Sequence, residues 1–318
     1  MSRAPTNTHL SALAGDYFDH RHARGYQLLE AQRHVFRFLE YLWQSGNHTK
    51  VFTLSEVLTW IHADGNRKRS YQAQMLNSMR GYTQYCLSRG TNLPVPGSHL
   101  LPGSRSRRTP HIYTQHEIDA LLYACPIVFD PPTAATMATI ISFLVATGLR
   151  IGEALSVESG DLDHEANTLL VRANKNGPRR IIPLHPTTIA ALISYETSPP
   201  RTGLGLQPGG PLFLNRRRRP HQAPTIESYF AKLRNAADFE WHGSTPCLHD
   251  LRHTFATRVM IRAYTAEDGV PANTMGLLAN WLGHSSPAHT YWYVQAVPEL
   301  LGLAAQRRTN QTSTESPS

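Results

Sequence analysis

The chain has 318 residues, enough for about two domains, each with its own core. Hydrophobic residues at 41% and charged residues at 17% exclude a disordered chain; no run of about 18 apolar residues offers a membrane span, and the start, MSRAPTNTHL, lacks the apolar stretch of a secretory signal. Lys and Arg number 31 against 23 Asp and Glu, a formal charge of +8 that favours a polyanionic partner such as nucleic acid, while three scattered cysteines (Cys86, Cys125, Cys247) argue against a disulfide framework and fit a reducing cytoplasm.

The N-terminal part reads as helices, the first beginning near residue 10. In GYQLLEAQRHVFRFLEYLWQSG, the residues Leu28, Val35, Leu39 and Leu42 recur near helical spacing. A short helix is expected at LSEVLTWIHAD. A third, in SYQAQMLNSMRGYTQYCLSRG, sets Leu76, Met79, Tyr82, Thr83 and Cys86 along one stripe. Residues 10–92 thus form a small helical domain. The composition then shifts: NLPVPGSHLLPGSRSRRTP carries four prolines with Arg105, Arg107 and Arg108, so residues 93–112 read as a basic linker able to cross a phosphate backbone.

A second domain, 113–305, opens on a capping box, Thr114 with Glu117. PTAATMATIISFLVATG is a largely buried helix. TLLVRANKNGPRRIIPL holds two β-type runs around Asn176-Gly177, which predicts a hairpin with Lys175 at its tip. Helices return at PTTIAALISYE, TIESYFAKLRNAADF and LHDLRHTFATRVM. PELLGLAA forms a short terminal helix, and 306–318 is a polar tail expected to be disordered. The fold class is therefore mainly α with a small β-hairpin or sheet, in two domains.

Three segments carry chemistry. ATGLRIGEAL spaces Arg150 and Glu153 three apart, and CLHDLRHTFATRV does the same for His249 and Arg252; on a helix each pair shares a face. LGHSSPAHTYWYV brings His284 and Tyr293. Two guanidiniums can grip a phosphate through paired N–H donors and neutralise a pentavalent transition state. A hairpin lysine can protonate a leaving oxygen, histidines can move protons, and a tyrosine hydroxyl can attack phosphorus and conserve the bond energy in a covalent link. No carboxylate cluster for paired metal ions is evident in the sequence, and no cofactor is expected.

Arg150 in ATGLRIGEAL, the hairpin Lys175, His249 and Arg252 as H-x-x-R, and LGH followed nine residues after its histidine by Tyr293 resemble, in this order, the tyrosine recombinase (phage integrase) family. The resemblance covers about residues 112–305, and the preceding helical region matches the family's core-binding domain in size. It implies a C-shaped clamp closing on DNA. Arg150 and Arg252 would be the phosphate clamp, Lys175 the general acid toward the 5′-oxygen, and His249 a proton-transfer partner of the nucleophile. His284 would hydrogen-bond the scissile phosphate, Glu153 would orient the clamp, and Tyr293 would be the nucleophile. Thr290 matches a frequent family threonine. Tyr291 is a rival to Tyr293, and Arg179 and Arg180 are rivals to Lys175 as proton donor. Arg216, Arg217, Arg218 and Arg219, with Arg105, Arg107 and Arg108, would contact DNA.

The implied reaction is strand exchange through 3′-phosphotyrosyl intermediates and a Holliday junction, without metal or ATP. Its partners would be double-stranded DNA with inverted-repeat core sites and further copies of the chain, two on a site and four in the synapse; no membrane is involved. Leu300, Leu301 and Leu303 of the terminal helix would dock onto a neighbouring protomer. With about ten residues before the first helix, no extra arm-binding domain is expected, which favours a simple recombinase, a resolvase, or the integrase or transposase of a mobile element. Other readings stand beside this one. Arg150 and Glu153 alone fit a surface ion pair. HDLRH resembles a zinc-protease helix with Asp for Glu, which leaves Arg252 and Tyr293 unused. A type IB topoisomerase-like enzyme shares the chemistry without partner exchange, and a catalytically silent architectural DNA-binding protein shares the fold.

Overall fold

The computed structural model describes residues 8–101, 108–173, 179–205, 209–241, 243–266, 270–283 and 300–303. They fall into two compact units divided between Arg107 and Arg108.

Among the described residues the first unit holds four helices: α1 (Thr8–Ala23), α2 (Leu29–Gln44), α3 (Leu54–His62) and α4 (Arg69–Ser88). α1 buries Leu10, Ala14, Tyr17 and Phe18, a single stripe at helical spacing. α2 buries Val35, Leu39 and Leu42 as the periodicity predicts, but Leu28 stands just before the helix with φ 42° and only packs against the core from its edge. All five stripe residues expected on α4 are buried. Two polar contacts pin the layers. The Tyr82 hydroxyl donates to the Leu10 carbonyl at 2.9 Å, and His34 Nδ1 meets Ser78 Oγ at 3.0 Å inside the core. Buried polar groups are tolerated when paired in this way.

The second unit wraps its core around α6 (Pro131–Thr147). Met137, Ile140, Ile141, Phe143 and Leu144 of this helix are shielded on nearly every side, which accounts for its almost continuous apolar sequence. Against it pack α5 (Gln115–Val128), α8 (Pro186–Thr197), α10 (Ala223–Ala236) and α11 (Asp250–Thr265). A three-stranded antiparallel sheet, β1 (Leu162–Asp163), β2 (Thr168–Val171) and β3 (Arg180–Pro183), feeds Leu169, Val171 and Ile182 into the same core. Two short helices, α7 (Ile151–Leu155) and α9 (Pro199–Thr202), turn the chain between larger elements. α12 (Pro271–Leu282) packs on α11 in a satellite cluster of Ala256, Met260, Met275, Leu278 and Leu282. Leu300, in the helical residues 300–303, is buried in that cluster within its own chain, while Leu301 is half exposed.

Among the described residues the β2–β3 ladder ends at the pair Val171 and Arg180, and the expected turn at Asn176-Gly177 lies outside the described residues. Arg172 leaves the ladder to pair with Asp161 at 3.0 Å and Glu158 at 2.6 Å. Among the described residues no helix is long and apolar enough to cross a membrane.

The capping box of α5 forms as its sequence predicts. Glu117 N–H donates to Thr114 Oγ1 at 3.2 Å, and Thr114 N–H donates to Glu117 Oε2 at 2.7 Å. Thr114→Ala removes the first bond, so unfolding free energy in denaturant titration is expected to fall by about 1 kcal/mol. An unchanged midpoint and slope would show that the cap does not contribute.

Candidate active site

The site begins where α6 stops. Gly148 takes the left-handed conformation, φ 63°, as the helix C-cap, and a side chain there would collide with the Phe255 ring. The chain reverses and α7 starts at once, with Arg150 as its N-cap. Arg150 and Glu153 are therefore not stacked on one helix face, as their spacing alone suggests. Glu153 instead reaches back from the third helical position. Its Oε2 accepts the Arg150 backbone N–H at 3.0 Å, and its Oε1 accepts Arg150 Nη1 at 3.1 Å.

Two more guanidiniums arrive from other elements. Arg180, at the start of β3, forks onto both Glu153 oxygens at 3.2 and 3.1 Å and donates Nε to the Trp281 carbonyl at 2.7 Å. Arg252, in the first turn of α11 and 2% exposed, donates to the Gly148 carbonyl at 2.8 Å and the Leu282 carbonyl at 2.7 Å. Its Nη1 stands 4.0 Å from Glu153. Arg150 Nη1 also approaches the Leu282 carbonyl, at 3.3 Å. Three arginines thus meet one buried carboxylate and the last carbonyls of α12, where unsatisfied C=O groups and the helix dipole favour positive charge. Arg150 is the most open of the three, with 24% of its side chain accessible. Burial alone would raise the Glu153 carboxyl, but hydrogen bonds from Arg180 and the Arg150 backbone outweigh it and hold the group below the usual range.

His249 is the N-cap of α11 and lies beside this cluster. Its side chain is open to solvent on one side, yet desolvation by the protein packed around it, reinforced by the charges of Arg252 and Arg150, pushes its pKa below the ordinary histidine value. The neutral imidazole is thereby favoured near pH 7, the form that can accept a proton. His253 follows one turn later, its ring 4.9 Å from that of His249 and nearly perpendicular. Asp250 between them is occupied elsewhere: it accepts the Cys247 backbone N–H at 2.8 Å and pairs with Arg108. Among the described residues no group of His, Cys, Asp or Glu converges as a metal site, and the zinc reading of HDLRH gains no third ligand.

The remaining expected residues divide clearly. Arg108 is tied to Asp250 within its own unit. Arg216 to Arg219 occupy an exposed turn, in which the Asn215 side chain accepts the Arg217 and Arg219 backbone N–H groups at 2.8 and 3.2 Å. Arg216 also leans toward Asp130 at 3.5 Å. Arg179 is exposed. Lys175, His284, Thr290, Tyr291, Trp292 and Tyr293 lie outside the described residues, as do Arg105 and Arg107. Lys175 belongs to the segment joined to β3, and His284 follows the α12 C-cap, Gly283, directly in sequence. Arg180 had a signal in the sequence beyond its rivalry with Lys175: it shares a strand face with buried Ile182, and a charge on an inward face requires a partner. α12 had one too, since Met275, Leu278, Ala279 and Leu282 recur at helical spacing after Pro271.

The phage integrase family model matches residues 112–299. A putative integrase/recombinase of Sinorhizobium fredii, y4rB, is 31% identical over 304 residues, covering 92% of this chain and 94% of that protein. In fold, the chain is similar to a lambda integrase tetramer bound to a Holliday junction, with a TM-score of 0.64 at 17% identity over 92% of this chain and 78% of the other. It is equally similar to the Tn1549 transposon integrase in complex with transposon right-end DNA, TM-score 0.64 at 18% identity over 94% and 99% of the two chains. With the match to the family model spanning the whole arginine cluster, and a relative aligned over nearly its full length, the chain belongs to the phage integrase family of tyrosine recombinases.

Proposed function

We propose that this protein is a site-specific DNA recombinase that cuts and rejoins strands through a 3′-phosphotyrosyl link, and that it serves a mobile element as integrase or transposase. The observation that carries the reading is the convergence of Arg150 and Arg252 on the Leu282 carbonyl at the end of α12, two residues before His284 in the chain, with His249 at the start of the helix that bears Arg252. The near full-length similarity to a protein named integrase/recombinase supports the biological role.

The division of labour follows from the chemistry of each group. Arg150 and Arg252 neutralise the non-bridging oxygens of the scissile phosphate as charge builds there. Tyr293 attacks phosphorus with its phenolic oxygen, and His249, held neutral, takes the proton that leaves it. The bond from phosphorus to the 5′-oxygen breaks, and Lys175 protonates that oxygen. His284 donates a hydrogen bond to the phosphate. One phosphodiester is exchanged for one phosphotyrosyl ester, so no ATP is consumed. A 5′-hydroxyl from the partner duplex then reverses the step, and two rounds pass through a Holliday junction. Pairs of protomers on inverted-repeat core sites, four in the synapse, fit this sequence of events. A cytoplasmic setting, where the chromosome is reached directly, belongs to the same reading.

The direct test maps covalent cleavage on DNA flanking the coding region, then offers the mapped site as a nicked duplex that traps the adduct. Exchange between two such sites supports recombination; relaxation of a plasmid without exchange would favour a topoisomerase-like enzyme, and absence of any adduct would leave a silent binding protein. Arg150→Lys keeps the charge but loses the planar fork and cannot serve Glu153, Leu282 and a phosphate together. Single-turnover cleavage is expected to fall by about 100-fold or more while DNA affinity changes little. Wild-type cleavage by this variant would make Arg150 a structural residue only.

The exposed turn 216–219 is expected to meet phosphates away from the cleavage point. Replacing Arg217, Arg218 and Arg219 by alanine should weaken binding and reduce the slope of log affinity against log salt by about 0.9 for each phosphate no longer neutralised. An unchanged slope would remove this turn from the DNA interface.

A further inference from the structure

Arg180 is tightly held in the second unit, and its three donor nitrogens are all engaged. Nη1 and Nη2 take the two oxygens of Glu153, and Nε takes the Trp281 carbonyl. Its side chain is 10% exposed and Glu153 is 1% exposed. A guanidinium does not give up its proton near neutral pH, so this residue is unsuited to the proton-donor role. Its donors are all committed to protein acceptors, whereas Arg150 is the more open side chain.

The partners of Arg180 come from separate parts of the proposed machinery. Glu153 holds Arg150 by side chain and backbone. Trp281 is the penultimate residue of α12, whose C-cap Gly283 leads into His284. Arg180 itself opens β3, the strand that follows Lys175. Gly283 records how closely these parts approach. A Cβ there would lie 2.8 Å from Arg180 Nη1 and 3.0 Å from its Cζ, and φ is 64°. The glycine before His284 is thus required twice, by its own backbone and by the guanidinium beside it. Trp281 is anchored from its other end as well, its indole N–H donating to the Thr147 carbonyl at 2.7 Å.

We propose that Arg180 is a positioning residue for cleavage: it locks the strand of the lysine hairpin, the Arg150–Glu153 turn and the end of α12 into one frame, from which the segment bearing His284 and Tyr293 departs. This inference rests on the recombinase reading above. Arg180 touches no reacting atom and acts through Glu153 and the backbone of Trp281. A lysine keeps the charge but offers one ammonium in place of a fork, so it cannot bridge both carboxylate oxygens and the carbonyl in the same plane. A displacement of about 1 Å at a reacting group is enough to cost on the order of 100-fold in rate.

The test uses the full chain and single-turnover cleavage of the mapped nicked duplex, with either an ordinary 5′-oxygen or a 5′-bridging sulfur at the scissile phosphate. Sulfur leaves without an acid, so it separates loss of the proton donor from loss of geometry. Arg180→Gln and Arg180→Lys are expected to slow adduct formation by about 10- to 100-fold on both substrates, with DNA affinity within about twofold of wild type. Lys175→Ala is expected to be slow on oxygen and restored on sulfur. Arg180→Gln combined with Glu153→Gln should be no more than about twofold slower than the slower single variant, because the two act as one unit. Wild-type rates in both Arg180 variants, rescue of either by sulfur, or a loss of affinity that matches the loss of rate would each overturn the proposal. If Arg180→Gln does not fold, Arg180→Lys alone decides between these outcomes. A wild-type chain that forms no adduct on either substrate would instead overturn the recombinase reading.

Discussion

One buried carboxylate organises the catalytic unit. Glu153 is almost sealed from solvent, yet it stays ionised because two arginines and a backbone N–H are directed at its oxygens and a third arginine stands close by. An isolated carboxylate could not be buried in this way; the desolvation cost is offset only when partners and geometry are both supplied. Those partners are the groups that a phosphoryl-transfer site needs held still. The cluster therefore acts in two directions: the arginines permit Glu153 to be buried, and Glu153 keeps the arginines from spreading apart under mutual repulsion.

The second anchor is the end of α12. The carbonyls of Trp281 and Leu282 would be unsatisfied at a free helix end, and here they receive Arg180, Arg252 and Arg150. On the opposite side, the end of α6 gives its Thr147 and Gly148 carbonyls to Trp281 and Arg252. Two helix ends are thus tied together by side chains from α11 and α12, and Arg180 of β3 joins the α12 end to Glu153. Such a network is stiff because each member completes the hydrogen bonding of another, and removal of one partner from a buried pair costs roughly 3–5 kcal/mol. A rigid frame suits chemistry in which the phosphate, the nucleophile and the proton donor come from distant parts of the chain.

Much of the fold is legible in the sequence where a local rule applies. The α4 stripe and the α5 capping box follow from spacing alone, and so does the pairing of β2 with β3. Local spacing misplaces Arg150 and Glu153 on one helix face, because it does not show that Gly148 ends one helix and Arg150 begins another. It does not show that Arg108, read as a linker arginine, has an acidic partner, Asp250, 142 residues away. The role of Arg180 stays hidden for the same reason: its inward strand position asks for a partner, and only the folded chain names Glu153 and Trp281. α12 has the periodicity of a helix, blurred by Gly276 and the exposed Leu277 on its outer face. The order Arg150, Lys175, His249, Arg252, His284, Tyr293 carries the family resemblance, while the interactions that hold its arginines in place are long-range.

In the proposed reaction this arginine frame presents a DNA phosphate to one particular tyrosine. If Tyr291 and Tyr293 stood on one helix, their side chains would point roughly 200° apart, so that one hydroxyl at most would face the cluster. A phenol with a pKa near 10 is a weak nucleophile until nearby cations and a base favour its anion, so only the tyrosine that reaches Arg150, Arg252 and His249 can react. Protease digestion of the trapped covalent adduct, followed by mass spectrometry of the DNA-linked peptide, reads the attachment site directly. DNA joined to Tyr293, with no adduct from the Tyr293→Phe protein, is the expected result. DNA joined to Tyr291, or an adduct that persists in Tyr293→Phe, would contradict it.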